Sequence, residues 1–571
     1  MNLKKKIILY LNSPIENIQN LILKMDFSEK ILLTLFSAGL VVSSIGMIIS
    51  INEYITKETP TQGGSFTEVI NGIPRFINPV LAVTDADRDV TALTYSGLMR
   101  ANPNGDLISD IAENYDISDS GKIYTFHLKR NLYFQDGEPI TADDIIFTIK
   151  MIQDISIKSP KRADWIGIKT EKIDDYTLRF ILPKAYSPFL ENTTVGILPK
   201  HLWENVKPQE FPFSKLNTKP IGSGPYKVYD IKYTSAGIPA EYILKSFNKY
   251  ALGKPYIKYI YLKFIENKKE AENAFIKNKY DAMVSKDINP GPEYNVNKIV
   301  YPRIFALFFN QSKNKIFADK NVRKALRLCV DKKRIVKEAL SGNATIINSP
   351  LPQLTQKLTV PENNKCQDAK KLLQKTGWKL ENISDENKTK VWKKDDDILA
   401  FSISTVKTPE LLKTAELLKK NWQSINIKVK IESFTANDFT QNVIRPRNYE
   451  TILFGEVTGK IPDLFAFWHS SQRDDPGLNI ALYANSKVDA LLEKARKEFS
   501  QKKRLQIYNQ IIKELHDDVA AIFLYSPDFR YIISKSIHTP PMRVISNPSE
   551  RFARIYDWFI ETNRLWEFIS N

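Results

Sequence analysis

An α/β fold spread over more than one domain is predicted for this chain, on three observations. Stretches of period-2 hydrophobicity alternate with stretches of helical period throughout the chain after Gly64. The segment Tyr124–Ile149 packs strand, turn, strand and capped helix into one short run. At 571 residues the chain is also too long for a single hydrophobic core.

Taken in order, the first element is apolar. Ile31–Ile51 is a run of 21 residues without a charge. At the helical rise it spans roughly 31 Å, enough for a bilayer core. Lysines crowd its N-terminal side, which places that end in the cytoplasm and the long C-terminal part outside. A cleaved signal peptide fits less well: its apolar region is usually about 7–15 residues, and no small-residue cleavage site follows Ile51. A retained single-pass anchor is expected, with a cytoplasmic segment at residues 1–30. Within it, Leu3–Met25 can lie along the inner leaflet as an amphipathic helix. Residues 52–64, with Pro60, Gly63 and Gly64, read as a tether.

Phe66–Ile70 is the first expected strand, and Ala92–Leu98 a helix end stopping at Gly97. In Tyr124–Lys129, Tyr124, Phe126 and Leu128 alternate with polar residues, as a half-buried strand requires. Asp136-Gly137 supplies the reversal, because glycine tolerates positive φ. Thr141 and Asp144 form a capping box, with Ile140 and Ile145 as its hydrophobic staple. Thr177–Leu182 is a further strand. Ile221-Gly-Ser-Gly-Pro-Tyr226 has the wrong spacing for a phosphate loop, and Pro225 removes a donor, so it reads as a turn feeding a strand. Ile304–Asn310 is a buried strand and Val322–Leu340 a long amphipathic helix. Helices are expected at Ala369–Trp378, Glu410–Trp422, Val488–Phe499 and Lys503–Leu515, and strands at Ile427–Ile431 and Ala520–Tyr525. The charged run Lys388–Asp397 is expected to be an exposed turn.

Bulk chemistry excludes several classes. The 43% hydrophobic and 26% charged fractions are those of an ordinary globular protein. The net charge of +17 lies mostly in scattered lysines rather than a dense block, and no nucleic-acid motif accompanies it, so no nucleic-acid partner is expected. The five histidines stand in no metal spacing, no nucleophile elbow occurs, and neither an enzyme nor a cofactor is expected. The two cysteines, Cys329 and Cys366, have no motif spacing and are expected to stay unpaired.

Phe126-His-Leu128, Phe134-Gln-Asp136-Gly137 and Thr141-Ala-Asp-Asp144-Ile145 together resemble the signature segment of the extracytoplasmic solute-binding proteins of ABC importers, family 5, the oligopeptide, dipeptide and nickel type. The resemblance recurs in order at Ile77-Asn78-Pro79, in the Gly-Ser-Gly-Pro-Tyr226 turn and in Asp319, Val322-Arg323-Lys-Ala325-Leu326. It implies a two-lobed clamshell of the type II periplasmic-binding-protein class. Lobe 1 would run over residues 65–303, with an extra subdomain at about 105–193. Lobe 2 would cover 304–519, and 520–571 would return to lobe 1. It further implies a monomer that captures oligopeptides by hinge closure and passes them to an ABC permease and ATPase. Nickel complexes or another small solute are the alternative ligands, and a surface sensor or chaperone is the alternative role.

Tyr449–Trp468 combines a strand, a glycine, carboxylates and several rings, the materials of a cleft for an extended peptide. Within it Phe454, Gly455, Glu456, Asp463, Trp468 and His469 are candidate ligand-binding residues. In peptide binders of the family an Asp-containing turn here pairs with the ligand's amino group, and Glu456 and Asp463 both remain open for that part. Tyr95, Phe309 and Asn310 are added because they end elements that, in a clamshell, face the interlobe gap.

Overall fold

The computed structural model describes residues 22–102, 106–299, 301–351, 365–382, 390–457, 459 and 463–566. It divides into two compact units, one reaching Thr61 and resuming at Glu561, the other Gln62–Ile560.

In the smaller unit a helix covers Phe27–Ile55, and its window Phe27–Met47 is long and apolar enough to cross a membrane. The tether expected at residues 52–64 is not an open linker. The helix covers its start, and Thr56–Pro60 pairs antiparallel with Thr562–Trp566, Thr56 opposite Trp566. The amphipathic segment expected at Leu3–Met25 lies outside the described residues except for its last four.

The larger unit is built on two main sheets. Seven strands form the first, in the order Tyr294–Ile299, Phe529–Ser534, Ala282–Val284, Gly63–Asn71, Ile257–Ile265, Pro239–Ser246, Tyr226–Tyr233. Six form the second: Ala344–Ile346, Ala521–Pro527, Arg303–Phe309, Thr451–Val457, Ala400–Val406, Lys428–Phe434. Buried side chains on both faces of the second sheet make two cores, one around Leu307, Phe317, Phe401 and Trp422, the other around Phe308, Trp468, Ile511 and Phe523. The chain passes between the sheets twice, between Ile299 and Arg303 and again at Asp528. The two passages lie side by side, with the Ser526 hydroxyl donating to the Tyr301 carbonyl at 2.9 Å. Two adjacent extended crossings are the material of a hinge. The return to the first lobe therefore falls at Asp528, not at 520, because Ala521–Pro527 is held in the second sheet by Arg303–Phe309 on one side and Ala344–Ile346 on the other.

A separate four-stranded antiparallel sheet, Ala112–Ser118, Ile123–Leu128, Thr177–Ile181 and Lys169–Asp174, carries the signature strand. Its helix Ala142–Gln153 starts as expected: the Asp144 carboxylate accepts the Thr141 N–H at 2.9 Å, and Ile140 and Ile145 are buried. Gly137 has φ +104° in the preceding turn. The turn's function is visible in Gln135, whose side-chain amide donates to the carbonyls of Thr94, Gly224 and Tyr226 at 3.2, 3.2 and 2.8 Å. Its backbone N–H donates to Gly222 O and its Oε1 accepts Gly222 N–H. One side chain thus ties the subdomain to the Gly-Ser-Gly-Pro turn and to the end of the helix Asp85–Thr94. A Cβ on Gly222 would lie 2.2 Å from Thr94 O, so these glycines serve close backbone approach. Gly97 likewise packs against the Thr194 backbone, while the helix itself ends at Thr94.

Three other expectations change. The long helix Val322–Leu340 is two helices, Lys320–Leu328 and Lys332–Ala339, because Asp331 caps a new start by accepting the Arg334 N–H at 3.0 Å. The charged run Lys388–Asp397, partly outside the described residues, includes the strand Lys390–Lys394, whose Val391 and Trp392 are buried. Cys329 and Cys366 are disulfide-bonded. The fold, not the spacing, brings them together: Lys365 N–H donates to Leu328 O at 2.9 Å, so the second helix starts where the first ends. A closed loop of 37 residues removes unfolded-state entropy worth about 3–4 kcal/mol. Reduction, or paired Cys329→Ser and Cys366→Ser, is expected to lower the unfolding free energy by about that amount in urea titrations. Identical midpoints in oxidised and reduced protein would contradict the bond.

Candidate ligand-binding site at the hinge end of the second sheet

The strand Thr451–Val457 lies between Arg303–Phe309, antiparallel, and Ala400–Val406, parallel. Its register decides what reaches the hinge. Arg303 opposes Val457, Ile304 opposes Glu456 and Phe305 opposes Gly455, whereas Phe309 opposes Thr451 at the far end. Since the chain enters this sheet from the hinge at Arg303, the hinge end is the one carrying Phe454, Gly455 and Glu456. The register with Ala400–Val406 pairs only Thr451–Leu453. Past Leu453 this strand has an edge with no paired neighbour on that side among the described residues.

Glu456 is the outstanding group here. It is 4% exposed, and neither carboxylate oxygen has a hydrogen-bond partner. Burial alone pushes its pKa well above the ordinary carboxylate range. Across the sheet, Phe305 stacks on Tyr525 with centroids 5.2 Å apart, and the Arg303 guanidinium sits 5.1 Å over the Phe305 ring. Arg303 has no ion-pair partner among the described residues. A Cβ on Gly455 would meet the Phe305 ring at 2.9 Å, which explains the glycine. Arg303, Phe305, Gly455 and Tyr525 line a cavity of about 440 Å³, shared with Phe454 and with Lys286, which forms an ion pair with Glu410; Glu456, the next residue of the strand, is buried outside that lining. The chemistry on offer is a strand edge for main-chain pairing, an aromatic platform and the Arg303 cation, with the partnerless Glu456 carboxyl buried in the same strand.

The other candidates fall elsewhere. Asp463 is engaged rather than free: its carboxylate takes Arg496 at 2.6–3.1 Å, accepts the Tyr186 hydroxyl at 3.3 Å and accepts the Phe465 N–H at 3.1 Å. Trp468 is fully buried against Phe308 and Phe523, a core residue. The His469 ring stacks on Phe465 at 4.0 Å and its Nδ1 meets the Ser471 hydroxyl at 2.8 Å. Phe309 and Asn310 do not reach the gap. The strand runs away from the hinge, leaving Phe309 packed on Phe317 and Asn310 organising a turn by accepting the Ser312 and Lys313 N–H groups. Tyr95 is buried between Gly196 and Gly222, its hydroxyl without a partner. Sequence reasoning missed Arg303, Phe305 and Tyr525. The first is a lone cation at the head of an apolar strand, a signal that was available; the rings were indistinguishable from core.

Comparison with known proteins supports this architecture. Residues 106–477 match the family described as bacterial extracellular solute-binding proteins, family 5 Middle. The chain is 27% identical over 487 residues to the oligopeptide-binding protein AppA of Bacillus subtilis, covering 82% of this chain and 87% of the relative. The solved structure of that AppA in complex with a nonapeptide aligns with TM-score 0.65 at 24% identity, over 88% of this chain and 100% of the other. NikZ from Campylobacter jejuni, solved in complex with Ni(L-His), aligns with TM-score 0.65 at 27% identity, over 87% and 99%. By its two lobes, its signature segment and this match over most of its length, the chain belongs to family 5 of the bacterial extracellular solute-binding proteins.

Proposed function

We propose that this protein captures oligopeptides outside the cell membrane and delivers them to an ABC permease and its ATPase, held to the membrane by the helix Phe27–Ile55. The observation that carries the reading is the open edge past Leu453 beside the partnerless Glu456 carboxylate. An extended peptide adds to such an edge through its backbone, which is indifferent to side-chain identity, while a buried carboxylate awaits an ammonium. The Arg303–Phe305–Tyr525 wall suits a side chain or a backbone carbonyl of the guest. Closure follows because only the closed pair of lobes touches the guest on both sides. NikZ is described in complex with Ni(L-His), so nickel–histidine is the control ligand.

Calorimetry on the full chain in lipid nanodiscs, with alanine peptides of two to nine residues and with nickel–histidine, separates the possibilities. Binding of peptides that strengthens with length over the first few residues is expected, without competition from nickel–histidine. Tight nickel–histidine binding with no peptide heat would overturn the reading.

A further inference from the structure

A cavity of about 980 Å³, distinct from the one at the hinge, lies between the subdomain and the second lobe. One wall carries Ile166, Ile168, Leu182 and Lys184, the other Phe465, Arg496 and Lys497. The walls are pinned together beside it. The Tyr186 hydroxyl donates to Asp463, the Ser187 N–H donates to Arg496 O at 2.9 Å, and Arg504 donates to the Ser187 hydroxyl at 3.2 Å. Asp463 thereby satisfies Arg496, whose guanidinium carbon sits 3.8 Å from the centroid of the Phe465 ring.

What remains is a floor without a function and charge without a partner. Ile166 is 55% exposed beside the buried Ile168 and Leu182, an apolar surface that folding alone does not require. Lys184 and Lys497 line opposite walls and form no ion pair among the described residues. Of the two carboxylates in the lining, Glu493 faces His469 at 3.7 Å and Asp164 faces the neighbouring Lys161. The net unspent charge is positive and sits above hydrocarbon. We infer that this cavity holds the carboxylate-bearing end of the ligand: an apolar C-terminal residue against Ile166, Leu182 and Phe465, its free carboxylate between Lys184 and Lys497. The inference rests on the peptide reading above and deepens it, since it gives the pocket a preferred terminal residue. Because one lysine comes from each wall, a carboxylate there also draws the subdomain and the second lobe together.

The test uses Ala-Ala-Ala-Ala-Leu as free acid and as C-terminal amide, titrated into the full chain in nanodiscs. The acid is expected to bind at least about tenfold tighter than the amide, about 1.4 kcal/mol. K184A/K497A should collapse that ratio to near one while retaining the preference for a free over an acetylated amino end. Both lysines are exposed, so the variant keeps its fold. An acid-to-amide ratio of one in the unaltered protein, or a ratio that survives the double substitution, would overturn the assignment. Should no peptide bind, the peptide reading fails, and acetyl-leucine probes the cavity alone by saturation-transfer NMR. A signal lost in K184A/K497A supports a carboxylate site; no signal in the unaltered protein overturns it.

Discussion

Replacing Arg551 by methionine is expected to lower the unfolding free energy by at least about 3–5 kcal/mol, the largest single effect in the molecule. Arg551 is fully buried in a short helical turn, Pro548–Phe552, near the end of the larger unit. Its guanidinium takes Glu68 from the first strand at 2.6 and 2.8 Å and both oxygens of Asp89 at 2.7 Å. Tyr531 donates to the other Glu68 oxygen at 2.8 Å. Two buried carboxylates thus depend on one cation, and removing it leaves both uncompensated. The sign of the pH dependence follows. Burial holds Glu68 and Asp89 above their ordinary values, and Arg551 is the strongest influence pulling them back. Without it both rise further, while the unfolded carboxylates still ionise near about pH 4. A raised folded pKa gives stability that is full below the unfolded value and lost as pH rises through the folded one. R551M should therefore be least impaired near pH 5 and progressively worse toward pH 8. Urea midpoints at the two pH values measure this; a loss under about 1 kcal/mol, or one independent of pH, would show that the cluster is solvated.

Glu456→Ala is the second. Truncating one partner of a buried charge pair costs about 2–5 kcal/mol of binding, so free-amino peptides should weaken by roughly 30-fold or more. Acetylated peptides should change by less than about threefold. The same carboxylate, without a partner, penalises the empty protein as it ionises. Its raised pKa means a contribution to stability that is present below about pH 4 and lost as pH rises through the folded value. Glu456→Gln should consequently flatten the fall in stability between pH 5 and pH 8. Equal loss for free and acetylated peptides would remove Glu456 from the ligand site.

The parts legible in the sequence were the local ones. The turn at Asp136-Gly137 and the box at Thr141–Asp144 are dictated by residues within a few positions of each other, and they stand where expected. Partnerships made over distance were not legible. Asp463 is spent on Arg496, 33 residues on, and nothing in its own turn announces this. Phe309 and Asn310 are expected at the gap because they end a strand, but which end faces the hinge is fixed by the antiparallel register with Thr451–Val457. The disulfide depended on two helices docking end to end across residues 329–366. Val391 and Trp392 were hidden inside a charged run because a small sheet covers two residues and exposes the rest. Glu456 stands out in the sequence by residue type alone; its isolation, which gives it meaning, is a property of the packed strand.

Native mass spectrometry of the full chain, purified from cells and released gently from lipid, tests the capture of peptides most directly. The expected spectrum is the protein accompanied by a ladder of masses from short peptides of mixed sequence, removed on unfolding. A single bound small molecule or metal at unit stoichiometry, with no peptide among the released masses, would contradict it.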